Sequence, residues 1–223
     1  MKFHKNSTQG FTLAEVLLTL TIIGVVAALS IPSLLQNTQE TQGKSGFKAA
    51  YSILTQAYTN VLQEVGGSTK NLCTGEWDST CLRDLFVDYG DLSIIKVCDS
   101  GDCLGNCWSE KEYSLLGVDL GDPSSPSFVL SNGMHVSFLH RIADCSFLDG
   151  SLPECGWIYV DTNGFKGPDR YGIDIFRINV HEDKLTPRGV DGSHANSRIC
   201  DRVDTTTHNG QGCARWVLKG ENY

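Results

Sequence analysis

Positive charge is scarce in this chain: its 223 residues carry 18 lysines and arginines against 26 aspartates and glutamates, a formal charge of −8 with histidines neutral. So few cations provide no general phosphate-neutralising surface, which argues against generic nucleic-acid binding. The usual catalytic signatures are missing as well. There is no GxSxG elbow, no HExxH, no GxGxxG and no GxxxxGK[ST], and serine, histidine and aspartate occur at no informative spacing. An enzyme is not expected. His135 and His140, five residues apart, fall on opposite faces of a strand and read as strand or core residues. No CxxC pair occurs, and no second Cys or His pair stands at zinc-finger or zinc-ribbon spacing, so Cys98, Cys103 and Cys107 do not read as a zinc site. No internal repeat is evident.

Charge is absent in a second, local sense. From Val16 to Ile31 the chain reads VLLTLTIIGVVAALSI without one charged residue, with Glu15 just before it and only Lys2 and Lys5 as bases upstream. The 21 residues from Phe11 to Ile31 would form a helix of about 31 Å, the thickness of a bilayer's hydrocarbon core. No second segment qualifies. A basic start, an apolar stretch and the small residues Ala28 and Ser30 would suit a cleaved signal peptide. The same run would suit an uncut anchor with its short basic end in the cytoplasm. Neither needs Glu15, because a carboxylate inside hydrocarbon costs a few kcal/mol or more and demands a partner.

Gly10-Phe11-Thr12-Leu13-Ala14-Glu15, followed by the apolar run and Pro32, resembles the prepilin processing site of type IV pilins and pseudopilins. The resemblance implies a leader, residues 1–10, cut after Gly10 by a prepilin peptidase on the cytoplasmic side. The new amino group on Phe11 would then be N-methylated. That cation would lie one helical turn from Glu15 and within reach of Glu15 in a neighbouring subunit. It further implies a transmembrane assembly helix over 11–31, cohesion through small residues such as Gly24, Ala27 and Ala28, and partners comprising other pilin or pseudopilin subunits, an assembly ATPase and a platform protein. The expected location is the cytoplasmic membrane, single-pass with the head outside the cytoplasm, and then a periplasmic or cell-surface filament. The alternative is a membrane-anchored extracytoplasmic ligand-binding protein that keeps its N-terminus.

Beyond Pro32 the helix is expected to resume. Phe47, Tyr51, Leu54, Tyr58, Val61, Leu62 and Val65 recur at three- and four-residue steps between polar residues, an amphipathic helix ending at Gly66-Gly67 over the segment 32–66. From residue 67 to 223 the helical period fades and short β-rich runs appear, giving a mainly antiparallel β head and an α+β fold. Ser127–Leu130, Asn132-Gly133 and His135–Leu139 read as a hairpin on a two-residue turn. Gly156–Val160 and Ile173–Val180 read as two further strands. The stretch from Asn71 to Gly121 has little periodicity and reads as a disulfide-pinned connection.

All nine cysteines follow the apolar segment, which suggests an oxidising compartment and disulfides. Near neighbours able to close short loops are Cys73 with Cys81, Cys145 with Cys155, and Cys200 with Cys213; one pair and one odd cysteine remain among Cys98, Cys103 and Cys107. Between the last two strands, Asp161, Asn163, Asp169 and Asp174 place hard oxygen donors among Gly164, Gly167 and Gly172, a candidate Ca2+ loop. No cofactor is otherwise required. The spacing is not that of an EF-hand, and a wide β-turn capped by Asp161 and Asn163 accounts for the same residues. The stretch resembles a loop recurrent in pilin-like heads, DxNGxKGPNxxGxDxF, with Asp169 in place of asparagine.

Overall fold

A computed structural model describes residues 11–121, 123–148, 152–189, 200–203 and 205–221. The chain divides into two compact units, one up to Gln39 and one from Glu40 onward. A single helix, α1 (Leu13–Val65), runs through the boundary with Pro32 inside it. Proline removes one backbone donor, and flanking residues of high helix propensity carry the helix past it. α1 ends where glycine allows: Gly66 and Gly67 have φ of 86° and 94°, and the Gly67 N–H reaches back to the Leu62 carbonyl at 2.6 Å, a Schellman-type closure.

Among its described residues the second unit contains α2 (Ser79–Tyr89), α3 (Cys213–Lys219) and ten strands. They are β1 (Ile94–Cys98), β2 (Glu112–Tyr113), β3 (Asp119–Gly121), β4 (Ser127–Leu130), β5 (His135–His140), β6 (Phe147–Leu148), β7 (Pro153–Glu154), β8 (Gly156–Asp161), β9 (Ile175–Val180) and β10 (Leu185–Pro187). Six of them form one antiparallel sheet in the order β1-β4-β5-β8-β9-β10. The fold is α+β.

Strand alternation decides what each sheet face does. Even-numbered residues, among them Phe128, Val136, Phe138, Ile158, Phe176 and Ile178, are buried in one apolar cluster with Phe47, Leu54, Tyr58 and Val61 of α1. Phe47 stacks on Phe176 with ring centroids 4.5 Å apart, and Tyr58 stacks on Phe86 of α2 at 5.7 Å. The amphipathic stripe of α1 is therefore core packing. Tyr58 also ties the helix end to the sheet, its hydroxyl donating to the His181 carbonyl and pairing with Thr69. Odd-numbered residues build the opposite face, where Glu154 accepts from Trp157 Nε1 at 2.7 Å and from Asn179 Nδ2 at 2.6 Å, and the Arg177 guanidinium lies 4.1 Å from the Trp157 ring. His135 and His140 lie on opposite faces and both are buried.

Three local expectations change. The β4–β5 connection is a three-residue loop over 131–133, closed by Leu130 N–H to the Met134 carbonyl and Gly133 N–H to the Leu130 carbonyl. Only Gly133 takes a positive φ, 84°, so the Asn-Gly pair makes a turn with a bulge glycine, not a two-residue turn. The last long strand begins at Ile175 instead of Ile173, because residues 173 and 174 still belong to the preceding loop. The connection from Asn71 to Gly121 contains α2, capped by Asp78 Oδ1 on the Cys81 N–H at 3.1 Å, and the edge strand β1. α3 also had no expectation behind it.

Candidate functional site

The first candidate is the start of α1. Phe11 is 88 % exposed, and Gly10 and the leader lie outside the described residues. Large apolar side chains from Leu13 to Leu35 are solvent-facing, including Leu18, Ile23, Val26 and Leu29, so nothing among the described residues buries this surface. α1 is the one described helix long and apolar enough to cross a membrane. Glu15 closes a reciprocal cap with Thr12. Its Oε2 accepts from the Thr12 N–H and hydroxyl at 2.8 Å each, while the Thr12 hydroxyl accepts from the Glu15 N–H at 3.3 Å. This is a Thr-x-x-Glu capping box, which satisfies two of the donors that a helix N-terminus leaves free. Thr12 carries no role in the sequence reading, although T-x-x-E before an apolar run is its signal.

The second candidate is the β8–β9 loop, which contains all four oxygen-donor residues singled out above. It sits on α1: a Cβ on Gly43 would overlap the Ile173 carbonyl, and one on Gly46 would come within 2.9 Å of Thr162 Cβ. Asp161, fully buried at the end of β8, accepts on Oδ1 from the N–H groups of Asn163 and Gly164, both at 3.1 Å. Asp174, also buried, spends Oδ1 on the Arg170 N–H at 2.7 Å and Oδ2 on the Asp169 N–H and Asn163 Nδ2 at 3.0 and 3.2 Å. Asp169 turns away, its Oδ1 accepting from Ser109 at 2.8 Å. The backbone follows this wiring, with φ of 59° at Gly167 and 55° at Asp169.

Two oxygens of the loop, Asp161 Oδ2 and Asn163 Oδ1, are buried with no hydrogen-bond partner. Among the described residues no three His, Cys, Asp or Glu side chains form a group that could hold a metal ion. Burial raises the carboxyl pKa of Asp161 well above the ordinary range, with the charges of Asp174 and Asp169 adding to it. Asp174 is raised by burial against the opposing pull of its backbone donors.

Next to this loop, Glu112 of β2 accepts from Trp108 Nε1 and the Tyr171 hydroxyl, both at 2.8 Å. Its pKa is pushed up to about 7 by burial. Burial alone pushes His135 down to about 4, so it is neutral at pH 7, with Nδ1 unpartnered.

The cysteines form four disulfides: Cys73–Cys81, Cys98–Cys107, Cys145–Cys155 and Cys200–Cys213, leaving Cys103 free and buried. Three of these join the near neighbours picked out by spacing. The fourth spans the odd cysteine, which packs in the same small cluster as the Cys98–Cys107 bridge.

Residues 5–31 match the family described as the prokaryotic N-terminal methylation motif, the signature of type IV pilins and pseudopilins. The match ends at residue 31 and so speaks for the N-terminal segment, leaving the head unassigned. No solved structure matches the chain.

Proposed function

From a methylation motif set on an exposed apolar helix, we propose that this protein is a structural subunit of a type IV pilus or a type II secretion-type pseudopilus. A prepilin peptidase cuts after Gly10, Phe11 is N-methylated, and the subunit joins its filament through the first part of α1. The single observation that carries this is the motif at residues 5–31. Physical chemistry supports it: the apolar side chains from Leu13 to Leu35 need a bilayer before assembly and neighbouring helices after it. Glu15 sits where a plain anchor would do better with an apolar residue. The subunit waits in the cytoplasmic membrane with its disulfide-bonded head outside the cytoplasm, and an ATPase and a platform protein supply the work of extraction. No reaction is assigned to the head.

Mass spectrometry of the full chain purified from membranes tests this. The expected product begins at N-methylated Phe11. A chain that keeps Met1 would instead be an anchored extracytoplasmic binding protein, and the filament role would fall.

A further inference from the structure

Trp108, Trp157 and Trp216 are buried or half-buried, whereas Trp77 is 53 % exposed. Its backbone is left-handed, φ 63°, a conformation that a bulky residue rarely adopts and that concentrates at functional positions. The loop that bears it is closed by the Cys73–Cys81 bridge, and the Ser79 N–H holds the Trp77 carbonyl at 2.8 Å. A second closed loop lies alongside: the Asn71 N–H reaches the Ala143 carbonyl at 2.6 Å, and Cys145–Cys155 joins the chain on either side of β6 and β7. Arg141 belongs to this second loop, anchored by its own N–H on the Cys155 carbonyl at 2.7 Å. Its guanidinium carbon lies 4.0 Å from the centre of the Trp77 ring and 5.1 Å from that of Phe147, which meets Trp157 edge to face at 5.6 Å. One face of Trp77 is thus covered by a cation, and the exposed part of the ring is its other face and rim.

Stacking uses the faces of a guanidinium and leaves its N–H edge open. Among the described residues no hydrogen bond or ion pair engages that edge. The acids of the two loops are committed elsewhere, Asp78 to the Cys81 N–H, Asp144 to the Ser146 N–H, and Glu154 to Trp157 and Asn179. In a chain of formal charge −8, an arginine without an acid is the exception.

We propose that this surface docks a protein segment in which one carboxylate stands beside an apolar side chain, the carboxylate on the N–H fork of Arg141 and the apolar side chain on the open face of Trp77. A planar fork matches a carboxylate bidentately. Tryptophan and arginine dominate the binding energy of protein interfaces, and loops fixed in advance by disulfides lose little freedom on docking. A cationic ligand is disfavoured, because Arg141 already brings like charge to the Trp77 ring. A polyanion is disfavoured by the acidic chain and by Lys70, the neighbouring cation, which is paired with Glu182 at 3.7 Å. An acidic sugar would need partners for several hydroxyls, and the acids at hand are engaged. The site is independent of the filament role, since it uses no residue of the methylation motif.

Random heptapeptides displayed on phage and selected on the full chain in detergent test this, followed by titration of the best synthetic peptide. The enriched peptides are expected to carry an aspartate or glutamate next to a leucine or an aromatic residue. Arg141→Gln and Trp77→Asn should each weaken the peptide by about tenfold or more, as should an amide in place of its acid; asparagine is chosen because it tolerates left-handed backbone. The proposal is overturned if no peptide is enriched, if the enriched peptides carry no acid, or if either variant binds them as the wild type does. Binding of sialyllactose with no peptide enriched would overturn it in favour of acidic sugars. If a variant fails to fold, comparison of the acid and amide peptides on the wild type decides.

Discussion

Glu112 shows how far one buried carboxyl can bend a stability profile. Both its oxygens accept from neutral donors, Trp108 and Tyr171, and the charge that acts on it is that of the like-signed Asp169. The unfolded chain releases this proton near 4.5, while the fold holds it to about 7. A carboxyl whose folded pKa is raised stabilises the fold fully below the unfolded value and loses that contribution as pH rises through the folded one. The wild type should therefore lose stability between pH 4.5 and 7. Glu112→Gln, which mimics the protonated side chain, should flatten the Tm profile across that window. It should match the wild type near pH 5 and melt higher near pH 8. Asp161, Asp169 and Asp174 are displaced in the same direction but are present in both proteins, so the difference between the two curves isolates Glu112. Parallel curves would mean that Glu112 is ionised throughout.

Two elements meet at Gly43, and their demands conflict there. Within α1 alone, alanine would be the better residue by about 1 kcal/mol. Against the β8–β9 loop it cannot fit, because its Cβ would overlap the Ile173 carbonyl, a backbone atom with no rotamer to give. Gly43→Ala is thus expected to destabilise the head by about 1–3 kcal/mol, read from chemical denaturation; equal or greater stability would mean that the loop is not seated there. The rest of α1 was legible from sequence because Phe47, Leu54, Tyr58 and Val61 keep a helical period, and the strand pairs because Phe128, Val136, Ile158 and Phe176 keep a period of two. α2 was not. Its buried face includes Arg83, whose guanidinium reaches the Cys98 carbonyl at 2.8 Å and Asp99 at 2.7 Å, and an arginine in a short segment reads as solvent. The candidate loop was legible as a set of donors only. That Asp174 is spent on the N–H groups of residues 169 and 170 depends on left-handed backbone at Gly167 and Asp169, which spacing does not encode.

At the scale of the molecule, the chain is two materials joined by one helix, an apolar segment with a single acid and an acidic, disulfide-closed head. Removing the leader would take away Lys2 and Lys5 and no acid, so the formal charge would go from −8 to −10. Heads of one sign repel, though salt screens them beyond about 8 Å, so cohesion in a filament must come from the helices. Glu15 is the one charge on that surface. Held by Thr12 in the single chain, it is a helix cap, and a cap alone is worth about 1 kcal/mol. In hydrocarbon the same carboxylate costs about 2.5–3.5 kcal/mol or more, so capping cannot be the whole reason for it. Pairing with the freed amino group of a neighbouring Phe11 would supply the difference. Glu15→Val should accordingly leave the protein in the membrane fraction, inserted at least as well as the wild type, and remove it from sheared filaments. The processed N-terminus, checked by mass spectrometry, separates a failure of assembly from a failure of cleavage. Filaments at wild-type level from a processed Glu15→Val subunit would reduce the carboxylate to a cap and leave packing of the apolar helices as the sole cohesive force.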